Sequence, residues 1–212
     1  MLHRVSNLLS SGNQKAVNKL HEMSFLVYNL VIFPMIAGIL IVNKDFVNFF
    51  LGQDFQDARY AIAIMVFRMF FIGWTNIMGI QILIPHNKNR EFMLSTTIPA
   101  VFSVGLNLLL IPPLGYIGAS IVSVATEGLV WLIQLYFTRS YLKEVKILPS
   151  MLKILLAALL MYGALYSAQA FMHFSSVVNV LIYAALGFLV YGGLILLLRV
   201  LDFQELKSVL KK

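Results

Sequence analysis

The sequence predicts an all-α, polytopic membrane protein in which six transmembrane helices follow an N-terminal amphipathic helix. Two observations support this fold class. Of the 212 residues, 60% are hydrophobic and only 12% are charged, whereas a soluble domain is about half apolar and a quarter charged. The apolar residues are gathered into six runs, each long enough to cross about 30 Å of hydrocarbon as a helix. Cysteine is absent, so neither disulfides nor thiolate metal sites are expected.

Residues 1–23 are expected to form an amphipathic cytoplasmic helix along the membrane surface. Apolar residues recur there at roughly helical spacing among polar ones, from Leu2 and Val5 to Val17 and Leu20. The sequence SSGN at 10–13 is expected to interrupt this helix. A poorly ordered leader is the alternative interpretation.

The six predicted spans form one lobe over residues 24–200, and residues 201–212 form a basic cytoplasmic tail. The spans cover 24–42, 60–84, 93–111, 114–137, 151–172 and 177–198. IPPLG at 111–115 separates the third span from the fourth, because consecutive prolines stop a helix and glycine permits a turn. MHFSS at 172–176 links the last two spans just as tightly. Links this short force antiparallel neighbours, so two helical hairpins are predicted.

The distribution of lysine and arginine predicts the orientation of the spans. Of the 16 basic residues, 13 lie in the N-terminal segment, the second and fourth loops and the tail. The opposite side holds only Lys44 and Arg59, and Arg68 lies inside a span. Because basic loops stay cytoplasmic, both termini are expected in the cytoplasm. The net charge of +7 is therefore interpreted as a topology signal, and no nucleic-acid partner is expected.

Polar residues share faces within the second, third and fourth predicted spans. At 100° per residue, the fourth span carries one narrow polar stripe with Glu127 at its middle and Trp131 beside it. These faces supply the candidate substrate or ion pathway, which consists of Arg68, Thr75, Asn76, Ser103, Asn107, Ser120, Ser123, Glu127 and Gln134. The polar residues of the last two spans are mostly tyrosine, which is typical of membrane interfaces, and these spans resemble plain lipid-facing helices.

Two interpretations of these polar residues stay open from the sequence. Arg68 and Glu127 mark a substrate or ion path, as charges inside a membrane commonly do, or they form a structural ion pair between the second and fourth spans. The serines, threonines and asparagines line the same path, or they supply hydrogen bonds between helices. Both interpretations of the charged pair require a face that points into the protein.

The sequence offers no signal for enzyme chemistry. It contains no P-loop, no G-x-G-x-x-G and no H-E-x-x-H motif. Its four histidines are scattered over the N-terminal segment and the predicted loops, without the spacing of metal ligands. We therefore expect a protein that is not an enzyme and that needs no cofactor or metal.

Four segments resemble one family in a consistent order along the chain. NLLLIPPLGYIGASIVSVATEGLVWLIQLYF (107–137) resembles the C-terminal signature of polysaccharide flippases, and FFLGQDFQDARYAIAIM (49–65) resembles a loop and helix start of the same family. IPHNKNREF (84–92) is similar to its short cytoplasmic loop. MLHRVSNLLSSGNQKAVNKLHEMS (1–24) resembles the segment between its two lobes, with His3 in place of the usual proline.

This resemblance implies a membrane flippase for O-antigen or capsular repeat units, within the multidrug/oligosaccharidyl-lipid/polysaccharide exporter superfamily. Such proteins have two MATE-like lobes of about six helices, so the chain resembles a C-terminal lobe. The implied partners are a lipid-linked oligosaccharide of the undecaprenyl-pyrophosphate type, membrane lipids, and an N-terminal lobe or a second copy. Arg68 would meet the pyrophosphate, and Glu127 would pair with it or carry a coupling proton. A fragment, a split gene product and a truncated sequence are all compatible with this resemblance.

Two other functions are alternatives to the flippase interpretation. Cation-coupled multidrug extrusion uses the same fold, and it would favour a more acidic cavity than one containing Arg68. A lobe that binds a partner without transporting anything is the third alternative.

Overall fold

The computed structural model describes residues 2–171 and 174–200, and the side chains of Leu2 and His3 are excluded from the description. Within those ranges every regular element is a helix, which confirms the all-α prediction. The helices are α1 (Leu2–Ser10), α2 (Gln14–Phe50), α3 (Ala58–Asn76), α4 (Asn89–Leu142), α5 (Leu148–Gln169) and α6 (Ser176–Leu197). A short 3-10 helix at Gln53–Phe55 precedes α3, and a π-helix at Ile77–Leu83 continues it. The predicted tail at 201–212 lies outside the described residues.

The N-terminal segment differs from its predicted boundary. The chain turns at residues 11–13, where Gly12 has a φ of 70°, and the expected interruption near SSGN is therefore present. From Gln14 onward one helix runs to Phe50 without a break at 23. No helix-breaking residue stands between the amphipathic part and the apolar part, and Pro34 is accommodated as prolines in membrane helices commonly are. Val5 of α1 packs with Val17 and Leu20 of α2 in a small buried cluster.

The third and fourth predicted spans belong to one assigned helix, α4, which is 54 residues long. A straight helix of that length would extend about 81 Å, far beyond the thickness of a membrane. Gly115 divides it, with non-helical angles of φ 54° and ψ −131°. A methyl group on Gly118 would overlap the carbonyl oxygen of Leu110, so the chain doubles back there. We call residues 89–114 and 116–142 the first and second arms of α4.

The described residues contain five helices that are long and apolar enough to cross a membrane. The longest of these helices has two arms, so six helical stretches correspond to the six predicted spans. Each arm exceeds the roughly 20 residues that one crossing requires. The hairpin that IPPLG predicts is therefore present, although its helices are not separated by a loop.

The chain divides into two compact units, and α2 contributes to both. The first unit contains the residues up to Tyr28 together with Asp57–Ile147, and α4 packs there against α3 and the π-helix. The second unit contains Asn29–Gln56 and the described residues of 148–200, and α5 packs there against α6.

Tyrosines hold the core of the second unit together, contrary to the expectation of plain lipid-facing spans. Tyr183 is 3% exposed and packs with Ile41, Met161 and Leu165. The hydroxyl of Tyr191 donates a 2.8 Å hydrogen bond to the carbonyl of Leu30. Composition alone could not distinguish these packed tyrosines from interfacial ones, because both kinds occur in apolar helices.

Candidate functional site

An ion pair joins Arg68 of α3 to Glu127 in the second arm of α4. Nη2 and Nε of Arg68 lie 2.9 and 3.3 Å from the same carboxylate oxygen of Glu127. The side chains are 39% and 20% exposed, respectively. The pairing that the sequence raised as one alternative is thus present, and both of its side chains remain partly exposed.

An aromatic cluster lies one turn beyond this ion pair and locks α3 to the second arm of α4. Its members are Phe70, Phe71 and Trp74 on α3 and Trp131 on α4, with ring centroids of contacting pairs between 5.3 and 6.3 Å apart. Trp131 was expected on the polar face, and the structure places it among rings. Aromatic packing of this kind fixes the two helices that carry the charged residues.

Gln134 ends the polar stripe in the interior of the hairpin. It is 1% exposed, and its Nε2 donates a 3.1 Å hydrogen bond to Oγ of Ser95 in the first arm. A methyl group on Gly79 of the π-helix would press on the ring of Phe92 and approach the Gln134 amide. Gln134 therefore connects the two arms and lies against the π-helix, where close packing requires glycine.

Four other predicted pathway residues hydrogen-bond to the backbone of their own helices. The hydroxyls of Thr75, Ser103 and Ser120 and the amide of Asn76 donate to carbonyls three or four residues earlier, at 2.8–2.9 Å. Hydrogen bonds between helices were one interpretation of these residues, and the structure shows local bonds instead. Among the described residues, Ser123 and Asn107 have no side-chain hydrogen-bond partner.

A cavity of about 410 Å³ lies between the start of α2 and the end of α3 in the first unit. Asn76 lines it, as do Ser24 and Gln81, and most of the remaining lining is apolar. The ring of Tyr28 lies directly on Gly73, and its hydroxyl donates to the carbonyl of Met69. Of the nine predicted pathway residues, only Asn76 lines this cavity.

His21 is a buried polar residue that the sequence did not single out. It is 1% exposed, and its Nε2 lies 3.3 Å from the carbonyl oxygen of Gln81 in the π-helix. The Gln81 side chain accepts a 2.8 Å hydrogen bond from Ser24. The sequence signal for its burial was its position among the apolar residues Val17, Leu20 and Phe25, which share a helical face with it.

The described part of the chain, 2–171 and 174–200, contains no group of three His, Asp or Glu residues that could hold a metal ion. The polar chemistry of the first unit is that of ion pairs, amides and hydroxyls, and Arg68–Glu127 is its ion pair inside the predicted spans.

These features define a multi-pass, all-helical membrane protein with an ion pair inside its predicted spans. The chain is 24% identical, over 98% of its length, to an uncharacterized membrane protein of Methanocaldococcus jannaschii. It is 22% identical, again over 98% of its length, to the probable low-salt glycan biosynthesis flippase Agl15 of Haloferax volcanii. It spans 40% and 44% of the length of these two relatives. No protein-family model and no solved structure matches the chain.

Proposed function

We propose that this chain is the C-terminal lobe of a membrane flippase that moves a lipid-linked oligosaccharide across the cytoplasmic membrane. The observation that carries this proposal is the partly exposed ion pair between Arg68 and Glu127. Similarity to a relative whose printed name is a glycan biosynthesis flippase supports the substrate class. The proposed cargo is a repeat unit linked to a polyprenyl pyrophosphate of the undecaprenyl type.

The exposure of the ion pair argues for a hydrated path. Arg68 retains 39% of its side-chain surface although it lies inside a predicted span. Charged groups at that depth are costly against lipid and almost always face protein or water-filled cavities. The face with Arg68 and Glu127 is therefore proposed to line such a cavity, where the guanidinium can contact phosphate and sugar hydroxyls.

The opposite wall of the cavity is proposed to come from an N-terminal lobe or a second copy of the chain. Both relatives are more than twice as long as the segment that they share with this chain. Both termini of the lobe are proposed to face the cytoplasm, because most lysines and arginines lie in the connections on that side. The protein is proposed to transport without covalent chemistry or a cofactor.

Pairing of Glu127 also favours glycan transport over extrusion of cationic drugs. A site for a cation requires a carboxylate whose charge is available. Here the guanidinium of Arg68 bonds to Glu127 at 2.9 Å, which neutralises much of that charge and leaves further N–H donors on the arginine. Such donors suit a phosphate or a sugar rather than a cation.

Photo-crosslinking tests the substrate class without requiring a complete transporter. A photoreactive residue at Ser123, one turn from Glu127, should crosslink to a radiolabelled polyprenyl-pyrophosphate-linked sugar in membranes. The matched control is Leu132, which is 55% exposed on the opposite face of the same arm and should crosslink only to phospholipid. Equal labelling by the glycan lipid at both positions, or none at Ser123, would contradict the proposal.

A further inference from the structure

A second cavity, of about 340 Å³, lies at the end of the α4 hairpin, away from the ion pair inside the spans. It is formed where the first arm begins and the second arm ends. Its polar lining consists of Lys88, Glu91, Tyr136, Arg139, Ser140 and Tyr141. Its volume falls in the range of about 300–1,000 Å³ that is typical of small-ligand sites.

The cations of this cavity are not fully neutralised by the protein. Lys88 pairs with Glu91 at 2.9 Å, and this hydrogen bond raises the pKa of Lys88, so the ammonium stays charged. The guanidinium of Arg139 lies 4.4 Å above the centre of the Tyr136 ring and has no carboxylate partner among the described residues. A guanidinium stacked on a ring keeps its N–H groups in the plane and free to donate. The lining therefore carries one net positive charge.

Neighbouring contacts hold this cavity in shape. The rings of His86 and Tyr141 lie 4.1 Å apart, and His86 Nδ1 lies 2.7 Å from the carbonyl oxygen of Ile82. Asn87 adopts a φ of 59°, which turns the chain between the π-helix and α4. The loop that supplies Lys88 is thus fixed against the end of the arm that supplies Arg139.

The predicted spans place this cavity at the depth of lipid headgroups. Its residues lie at the ends of predicted spans, in the second and fourth connections, where basic residues concentrate. Tyrosine is enriched at this depth because its ring is apolar and its hydroxyl is polar. Basic pockets between membrane helices on the cytoplasmic side are suited to anionic headgroups.

We propose that this cavity binds an anionic phosphate ester, with Arg139 and Lys88 donating hydrogen bonds to the phosphate oxygens. A phospholipid headgroup and a small soluble phosphate share this chemistry. The location favours the lipid, and the acyl chains would then extend along the outside of the hairpin. This site is separate from the proposed transport path, so it stands whether or not the chain belongs to a flippase.

Lipid retention by the purified chain tests the site. The chain in detergent is mixed with equal amounts of phosphatidylglycerol and phosphatidylcholine, and bound lipids are counted by native mass spectrometry. Arg139→Gln or Lys88→Gln alone should weaken phosphatidylglycerol binding about fivefold, and the two together about thirtyfold. Arg139→Lys keeps the charge and should retain part of the binding. Circular dichroism verifies that each variant keeps its helical content.

The matched control is Lys143→Gln with Lys146→Gln, which removes two exposed charges near the same end of the hairpin without changing the cavity. This control should bind phosphatidylglycerol like the original chain. Displacement of the lipid by millimolar glycerol phosphate would identify the phosphate as sufficient, whereas resistance to displacement would identify the whole lipid as the ligand. Equal retention of both lipids, or an equal loss in the control, would overturn the proposal.

Discussion

Glu127→Gln removes one charge from the pair with Arg68 while preserving the shape of the side chain. The two shortest contacts, 2.9 and 3.3 Å, both reach one carboxylate oxygen. A glutamine carbonyl can accept those same hydrogen bonds. The substitution thus removes the Coulombic attraction and keeps most of the geometry, so its effect measures the environment of the pair.

The exposure of the two side chains sets the expected magnitude. Exposed ion pairs contribute about 0–1 kcal/mol, whereas removing one member of a buried pair costs about 3–5 kcal/mol. With Arg68 39% and Glu127 20% exposed, a pair in contact with water lies between these limits and near the lower one. We expect a loss of about 1 kcal/mol in the free energy of unfolding, which is roughly a fivefold decrease in the ratio of folded to unfolded protein.

The assay compares protein abundance with transport in a full-length, two-lobe transporter that contains this segment. Transport is measured as the lipid-linked intermediate that accumulates on the inner leaflet. If Glu127 lines a hydrated path, Glu127→Gln should lower transport while abundance stays nearly normal. Adding Arg68→Gln should not recover transport. Glu144→Gln is the control, because Glu144 is exposed and accepts a hydrogen bond from Asn18 outside the polar face.

Two results would refute this reasoning. Normal transport by Glu127→Gln would show that the carboxylate does not act in the path. Degradation of the Glu127→Gln protein, with abundance restored by the added Arg68→Gln, would show that the pair is structural and shielded from water. The unpaired buried charge of Arg68 would then account for the lost stability.

Four further predictions concern topology, completeness and packing. Reporter fusions in the N-terminal segment and the basic connections should report the cytoplasm, and fusions in the other two connections should report the outside. The predicted topology would be refuted if both sets of fusions reported the same side. The fusion sites are Lys15, His86 and Lys146 for the first set, and Asp54 and Ser175 for the second. The chain alone should not restore surface glycan in a flippase-deficient strain; restoration by a demonstrated monomer would contradict this. Gly73→Ala should lower the free energy of unfolding by about 1–3 kcal/mol, because the added methyl group displaces the ring of Tyr28. The loss is measured as a lower thermal midpoint. Gly38→Ala is the control, because its methyl group meets open space and should leave the midpoint unchanged. Gly118→Ala should likewise destabilise the hairpin, because its methyl group would overlap the carbonyl oxygen of Leu110. An unchanged thermal midpoint would show that the two arms do not approach so closely there.

The helices and their hairpins could be predicted from local sequence, whereas the pairing of Arg68 with Glu127, 59 positions apart, was only one of two open alternatives. Runs of apolar residues set the positions of the spans, and IPPLG predicted the reversal that Gly115 makes. Helical periodicity placed Glu127 on one stripe and Arg68 on a face of its own helix. The spans and their turns depend on residues close together in the chain, through hydrophobicity and backbone sterics.

Long-range packing could not be predicted in the same way. The ring of Tyr28 on Gly73 and the contact of His21 with the Gln81 carbonyl join residues that are 45 and 60 positions apart. The π-helix at Ile77–Leu83 that presents this carbonyl has the same apolar composition as the α-helix before it. An apolar run does not indicate which of its glycines an aromatic ring from a distant part of the chain will contact.

The polar face is also shorter in the structure than periodicity indicated, and this narrows where a substrate could be held. Thr75, Ser103 and Ser120 satisfy their hydroxyls on their own helices, as small polar residues in membrane helices readily do. Gln134 is directed into the hairpin and bonded to Ser95. Arg68 and Glu127 differ from all of these, because they bond between helices and their side chains still remain partly exposed. If this lobe contacts a glycan lipid, the ion pair is therefore where selectivity for its charged headgroup should be concentrated.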